Sequence, residues 1–175
     1  MADRITIDFA GDDLVAALTQ LYEGLGPAGM RGPLDEIGEH LAESTRQRFV
    51  AGAAPDGSPW APNAEATYLG LLSSRDARKD GRINARGTAK VRNKKPLVDS
   101  GILAEQITWQ LLPDGSGVAV GTNRFAGDWD AGAAVHQFGS RDGRIPSRPF
   151  LGLSAEDEAA TMRIIDRYLA GLMGA

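Results

Sequence analysis

Between Arg75 and Lys95 the chain runs for twenty-one residues with nine basic side chains (Arg75, Arg78, Lys79, Arg82, Arg86, Lys90, Arg92, Lys94, Lys95) and two acidic ones (Asp76, Asp80). Its only apolar residues besides alanine are Ile83 and Val91. Such a stretch buries too little apolar surface to offset the entropy of ordering it. It is therefore expected to be a long basic loop, a flexible arm over residues 75–95 inside a single domain spanning 1–175. The core must come from the segments on either side. The stretch carries +7, while the remaining residues, ten basic and twenty-one acidic, carry −11 behind a net charge of only −4. Segregation on this scale points to an interaction surface.

The flanking segments show clear periodicity. Ile5-Thr6-Ile7-Asp8-Phe9 alternates and predicts a short strand. Leu14, Leu18, Leu21 and Leu25, widened by Val15 and Tyr22, predict an amphipathic helix closed by the glycines from Gly24 to Gly29. A second helix opens at Gly32-Pro33, where proline has no amide hydrogen to leave unpaired. Leu34, Ile37, Leu41, Thr45 and Phe49 form its buried stripe, and Glu36, Glu39, Glu43, Arg46 and Gln47 face water. A Pro/Gly-rich loop follows, anchored by Trp60, and then a short helix over residues 63–73.

Beyond the basic segment, Asp99 or Ser100 is placed to cap one or two helical turns. Ile107 to Leu111 and Val118 to Gly121 flank Pro113-Asp114-Gly115-Ser116-Gly117 and predict a β-hairpin. Residues 124–138 read as helical with Gly139 as the stop. Residues 149–153 have the length and apolarity of a strand. Ser154 caps a last helix whose apolar face is Met162, Ile165, Leu169 and Leu172. The resulting fold class is α+β: a small, mainly antiparallel sheet packed against two or three amphipathic helices, with a long basic loop or arm.

Function classes fall away in turn. With no cysteine, disulfides, thiolate metal sites and thiol catalysis are excluded. The two histidines, His40 and His136, have no ligand partner at helical or hairpin spacing, so neither a metal nor any other cofactor is expected. His40 falls on the polar side of its helix and is expected to be solvated. Asp128 and Asp130 point apart in any regular structure and form no acid–base dyad. No phosphate-cradling glycine motif is present, and the chain is not expected to be an enzyme. No apolar run approaches the roughly 18 residues of a membrane span, and the first residues lack a signal-peptide core, which predicts assembly in a cytosol.

The basic segment leaves three readings open: a nucleic-acid contact, a contact with an acidic face of a neighbouring protein, or a solvated loop. It lacks interleaved aromatics for stacking bases, which disfavours single-strand or sequence-specific recognition. The most distinctive string is Ile145-Pro146-Ser147-Arg148-Pro149-Phe150-Leu151-Gly152. Its two prolines enforce extended backbone around Arg148, a guanidinium fork suited to a subunit contact.

That string, together with Gly57-Ser58-Pro59-Trp60, Leu97-Val98-Asp99-Ser100-Gly101-Ile102-Leu103, Val120-Gly121-Thr122 and Val135-His136-Gln137-Phe138-Gly139 in this order, resembles the phage virion morphogenesis, or tail completion, family, which includes protein G of Mu-like phages. The resemblance runs from about Leu34 to Leu172. It implies a non-enzymatic virion protein of the head–tail junction, a neck or tail-terminator component assembled in the bacterial host. The expected partners are further copies in a ring, a hexamer first and a dodecamer second, with neighbouring connector or tail-tube proteins and packaged DNA. It also implies structural or interface roles for Trp60, Asp99, Gly101, His136, Gln137, Phe138, Gly139, Arg148, Pro149 and Phe150. The alternative is a DNA-binding accessory protein that uses the arm.

Overall fold

The computed structural model describes residues 12–123 and 132–173. The expected strand over residues 5–9 and the Asp128/Asp130 pair lie outside them. Seven helices are described: α1 (Asp12–Leu25), α2 (Arg31–Ala51), α3 (Glu65–Leu71), α4 (Ala85–Asn93), α5 (Ile102–Glu105), α6 (Ala133–Phe138) and α7 (Ala155–Leu172). Two strands, β1 (Thr108–Leu111) and β2 (Val118–Gly121), pair antiparallel with Trp109 opposite Val120 and Leu111 opposite Val118. The fold is α+β, as the periodicities require. Residues 149–153, expected as a strand, join no sheet among the described residues and form a crossing that bends at Leu151 and Gly152. Pro149 removes one ladder donor, and the Phe150 and Leu151 amides are taken by a side chain.

Helix α2 is the spine. Leu34, Ile37, Thr45 and Phe49 are buried on it as its pattern predicts, with Ala42 beside them. The hairpin lies against α2 at Gly38, where a Cβ would stand 2.4 Å from Trp109 Cε3, so only glycine lets the indole approach the helix this closely. One apolar cluster joins Phe49, Trp60, Ile107, Ala133 and Phe150, with Phe49 edge-on to Trp60 at 5.3 Å between ring centroids and tilted against Phe150 at 5.4 Å. A second cluster, Leu34, Ile37 and Ile164, fixes α7 on α2.

Two expectations about helix faces are corrected. The buried line of α7 is Asp157, Ala160 and Ile164, and Met162 is exposed; the Ser154 cap and the contact with α2 set the rotation, which apolarity alone misjudges. Helix α1 forms, but Val15, Leu18, Tyr22 and Leu25 all remain exposed. It touches α7 through Gly24, whose carbonyl accepts from the Tyr168 hydroxyl at 2.9 Å. Of the helix expected over 124–138, residues 124–131 lie outside the described residues; α6 covers Ala133–Phe138, and Gly139, at φ 85°, stops it as expected.

Candidate functional site

Residues 75–95, expected as a long basic loop or arm, contain regular structure. A 3-10 turn at Ser74–Asp76, an antiparallel bridge between Ala77 and Ile83, and helix α4 follow one another. The organising group is Asp76, an acidic residue with 1% of its surface exposed. Its Oδ2 accepts from the Ser73 amide at 2.9 Å, the Ser73 hydroxyl at 2.8 Å and Lys90 Nζ at 2.6 Å, and Arg86 Nε lies 3.4 Å from Oδ1. The hydrogen bonds from Lys90 and Ser73 hold this carboxyl well below the usual carboxylate range. Asn84 caps α4 by accepting from the Gly87 amide at 3.0 Å, and its side-chain amide donates to the Arg75 carbonyl at 2.8 Å. Gly87 sits where a Cβ would meet the Asp76 carbonyl at 2.9 Å, so α4 closes directly onto the turn.

A charged device therefore replaces the missing apolar core of this segment. Of its nine cations, Lys90 and Arg86 are used inward on Asp76. Lys94 pairs with Asp99 at 2.5 Å, and Lys95 donates to the Val50 carbonyl at 2.7 Å. Arg75, Arg78, Lys79, Arg82 and Arg92 are exposed and pair with no carboxylate among the described residues. These five form the outward charge.

The other expected residues surround the crossing before α7. Trp60 Nε1 donates to the Pro149 carbonyl at 2.8 Å. Gln137 reads the Phe150–Leu151 backbone on both sides: its Oε1 accepts from the Phe150 and Leu151 amides, each at 3.0 Å, and its Nε2 donates to the Leu151 carbonyl at 2.9 Å. Arg148 is buried, donating from Nε to the Ala61 carbonyl at 2.8 Å and from Nη2 to the Pro62 carbonyl at 2.7 Å. The Arg148 amide donates to the His136 carbonyl at 2.7 Å, so α6 and the crossing are held side by side. At Gly139 a Cβ would lie 3.2 Å from the Ile145 carbonyl. Phe138 is two-thirds exposed. Gly101, at φ 81°, starts α5, and the expected caps Asp99 and Ser100 make no cap bond there. Asp99 is instead exposed and held by Lys94.

Two residues absent from the sequence expectations complete the crossing. Arg48, buried on α2, donates from Nη1 to the Phe150 and Gly152 carbonyls, both at 2.8 Å, and from Nη2 to Asp157 Oδ2 at 2.5 Å. Burial pushes the Asp157 carboxyl up, but hydrogen bonds from Ser44 and Ser154 and the charge of Arg48 outweigh it and leave the group below its ordinary range. His40, expected in solvent, is half-buried with Nε2 3.3 Å from Asp157 Oδ1. A signal for both existed: Arg48 interrupts an apolar stripe one turn beyond Thr45, and a charge at a core position demands a partner.

Among the described residues no group of three or more His, Cys, Asp or Glu is arranged to hold a metal, and no helix is long and apolar enough to cross a membrane. Fold and site together define an α+β protein that presents charge and apolar side chains outward from an ordered scaffold. The model of the phage virion morphogenesis family matches residues 11–170, and the chain belongs to that family. It is 30% identical over 160 residues to tail completion protein S of Escherichia phage P2, an alignment covering 87% of this chain and 92% of that protein. It is 39% identical over 84 residues to the Mu-like prophage FluMu G protein 2 of Haemophilus influenzae, covering 45% of this chain and 55% of that one. No solved structure matches it.

Proposed function

We propose that this virion morphogenesis protein completes the phage tail as a structural, non-enzymatic subunit of a ring at the head–tail junction, with a hexamer as the first expectation. The observation that carries the reading is the set of five outward cations, Arg75, Arg78, Lys79, Arg82 and Arg92, on a folded support. Outside residues 75–95 the same chain carries −11. A head-to-tail ring needs two different, complementary surfaces on each subunit, and a cationic lobe against an acidic body supplies them. The exposed apolar side chains of α1 add surface that a neighbour would cover. The similarity to tail completion protein S of phage P2 supports the same stage of assembly.

The test is complementation of an extract in which this protein is missing. Wild-type protein restores joined particles, and a variant with the five cations changed to glutamine folds but restores few. Full activity of that variant overturns the reading. The second reading, a DNA contact, is favoured by the same five side chains. It requires duplex binding that weakens steeply between about 50 and 200 mM salt, and is lost if binding is absent or indifferent to salt.

A further inference from the structure

A cavity of about 390 Å³ opens between the start of α3, the end of α4, α6 and the crossing before α7. Arg148 lines it, 6% exposed, and its hydrogen bonds go only to the neutral Ala61 and Pro62 carbonyls. No carboxylate pairs with it among the described residues. A buried guanidinium bonded only to neutral carbonyls is costly to keep, and an anion reaching it would complete its solvation. His136 lines the same cavity, and its Nδ1 is buried with no hydrogen-bond partner among the described residues. Burial and the nearby Arg148 charge push its pKa down, so the ring is neutral and able to offer an N–H without adding a second buried charge.

Three further cations line this cavity: Lys94, paired with the exposed Asp99 that also lines it, Lys95, which donates to the Val50 carbonyl, and Arg144, exposed and 3.2 Å from Asp142. Its wall includes Leu97, whose φ of 59° is a left-handed conformation that a leucine adopts at a cost. Strain, a buried nitrogen and a buried charge that find no partner and no counter-ion among the described residues thus converge on one concave site.

We propose that this cavity receives an acidic side chain from a protein partner, the carboxylate meeting Arg148 and His136 and an adjoining apolar residue resting on Leu97 and Ile145. The apolar wall of Leu97, Val98 and Ile145 suits a carboxylate borne on a polypeptide, whose neighbouring apolar residue can cover it, whereas a free phosphate brings nothing apolar to bury there. A cavity of this volume takes one or two side chains, not a nucleic-acid strand. The proposal stands apart from the ring: the site binds an acidic peptide whether or not the subunits assemble.

Imidazole NMR signals of the full chain test it, because the chain has only two histidines and His40, beside Asp157, serves as the reference. Titration with acetyl-Leu-Glu-Leu-amide is expected to shift the His136 signals saturably at millimolar concentration and leave those of His40 in place. Arg144→Gln, an exposed change that keeps the fold, weakens the binding threefold or more. Four results overturn the proposal: no His136 shift, equal binding of acetyl-Leu-Gln-Leu-amide, equal or tighter binding of inorganic phosphate, or an Arg144→Gln variant that binds the Glu peptide as well as wild type.

Discussion

Two regions of this molecule are fastened by the same device, and they differ in what surrounds it. Ser154-x-x-Asp157 and Ser73-x-x-Asp76 each place a serine so that its amide and hydroxyl donate to an aspartate one turn later, at 2.9 and 2.7 Å in the first and 2.9 and 2.8 Å in the second. Each aspartate is 1% exposed and takes further partners: Arg48 and the His40 ring for Asp157, Lys90 and Arg86 for Asp76. At Asp157 the partner Arg48 lies 109 residues away and is embedded beside Phe49 and Phe150, so the clasp locks parts of the chain that already share a core. At Asp76 the hydrogen-bonded cation Lys90 is 14 residues away, and α4 buries no apolar side chain. The same chemistry reinforces a core in one place and substitutes for one in the other.

The largest effect follows from removing the Asp157 carboxylate. Asp157→Ala leaves Arg48 buried and unpaired and opens the Ser154 cap, at a cost of about 3–5 kcal/mol. Urea unfolding should show the midpoint falling with the slope retained, and loss of less than about 1 kcal/mol would mean that the apolar clusters alone hold the crossing. Gly38→Ala comes next. Its new methyl would overlap Trp109 and push the hairpin off α2, for about 1–3 kcal/mol. Near-ultraviolet circular dichroism of the displaced indole reports it.

Asp76→Ala has a different outcome. It should melt α4 and speed amide exchange and trypsin cleavage within residues 75–95, while the global unfolding midpoint moves little. A global loss as large as that of Asp157→Ala would erase the distinction between the two clasps. Acidification sharpens it without mutation. Both carboxyls are held below their ordinary value, so the unfolded chain binds protons more readily, and the stability they supply is present at neutral pH and falls as pH drops below about 4. Exchange in α4 should rise along that descent, since the helix buries no apolar side chain to hold it once Asp76 is protonated.

Outside residues 75–95 the main helices, the hairpin and the Ser154 cap were legible in the sequence, because periodicity and capping are local and each carries its own signature. The order within residues 75–95 was missed for a physical reason: the argument from low apolar content assumes that hydrophobic burial alone offsets chain entropy. Here one buried aspartate gathers two hydrogen-bond donors of a serine and two cations. Ser73-x-x-Asp76 has the spacing of Ser154-x-x-Asp157 and was readable by the same rule. The rotation of α7 was not readable, because Asp157 occupies a buried position that apolar periodicity assigns to solvent. Of the residues at the crossing, Trp60, Arg148 and Phe150 stood out by type and setting, whereas their partner Arg48 lay inside an ordinary helical stripe. Even there Thr45, whose hydroxyl donates to the Leu41 carbonyl at 2.8 Å, shows that the stripe tolerates polarity only when it is bonded.

The smallest expected effect provides the control. Arg167 on α7 reaches Glu36 on α2 through two hydrogen bonds, Nη2 to Oε1 at 2.5 Å and to Oε2 at 2.6 Å, and joins the same two helices as the Arg48–Asp157 pair. Both side chains are more than half exposed, so water and salt screen their attraction and ordering two long side chains consumes most of the gain. Glu36→Gln should therefore cost at most about 1 kcal/mol, less at high salt, in the assay where Asp157→Ala costs several times more. Equal losses would mean that charge pairing between α2 and α7 matters wherever it occurs; the unequal losses expected here assign the strength of the clasp to burial, where neither partner has solvent to fall back on.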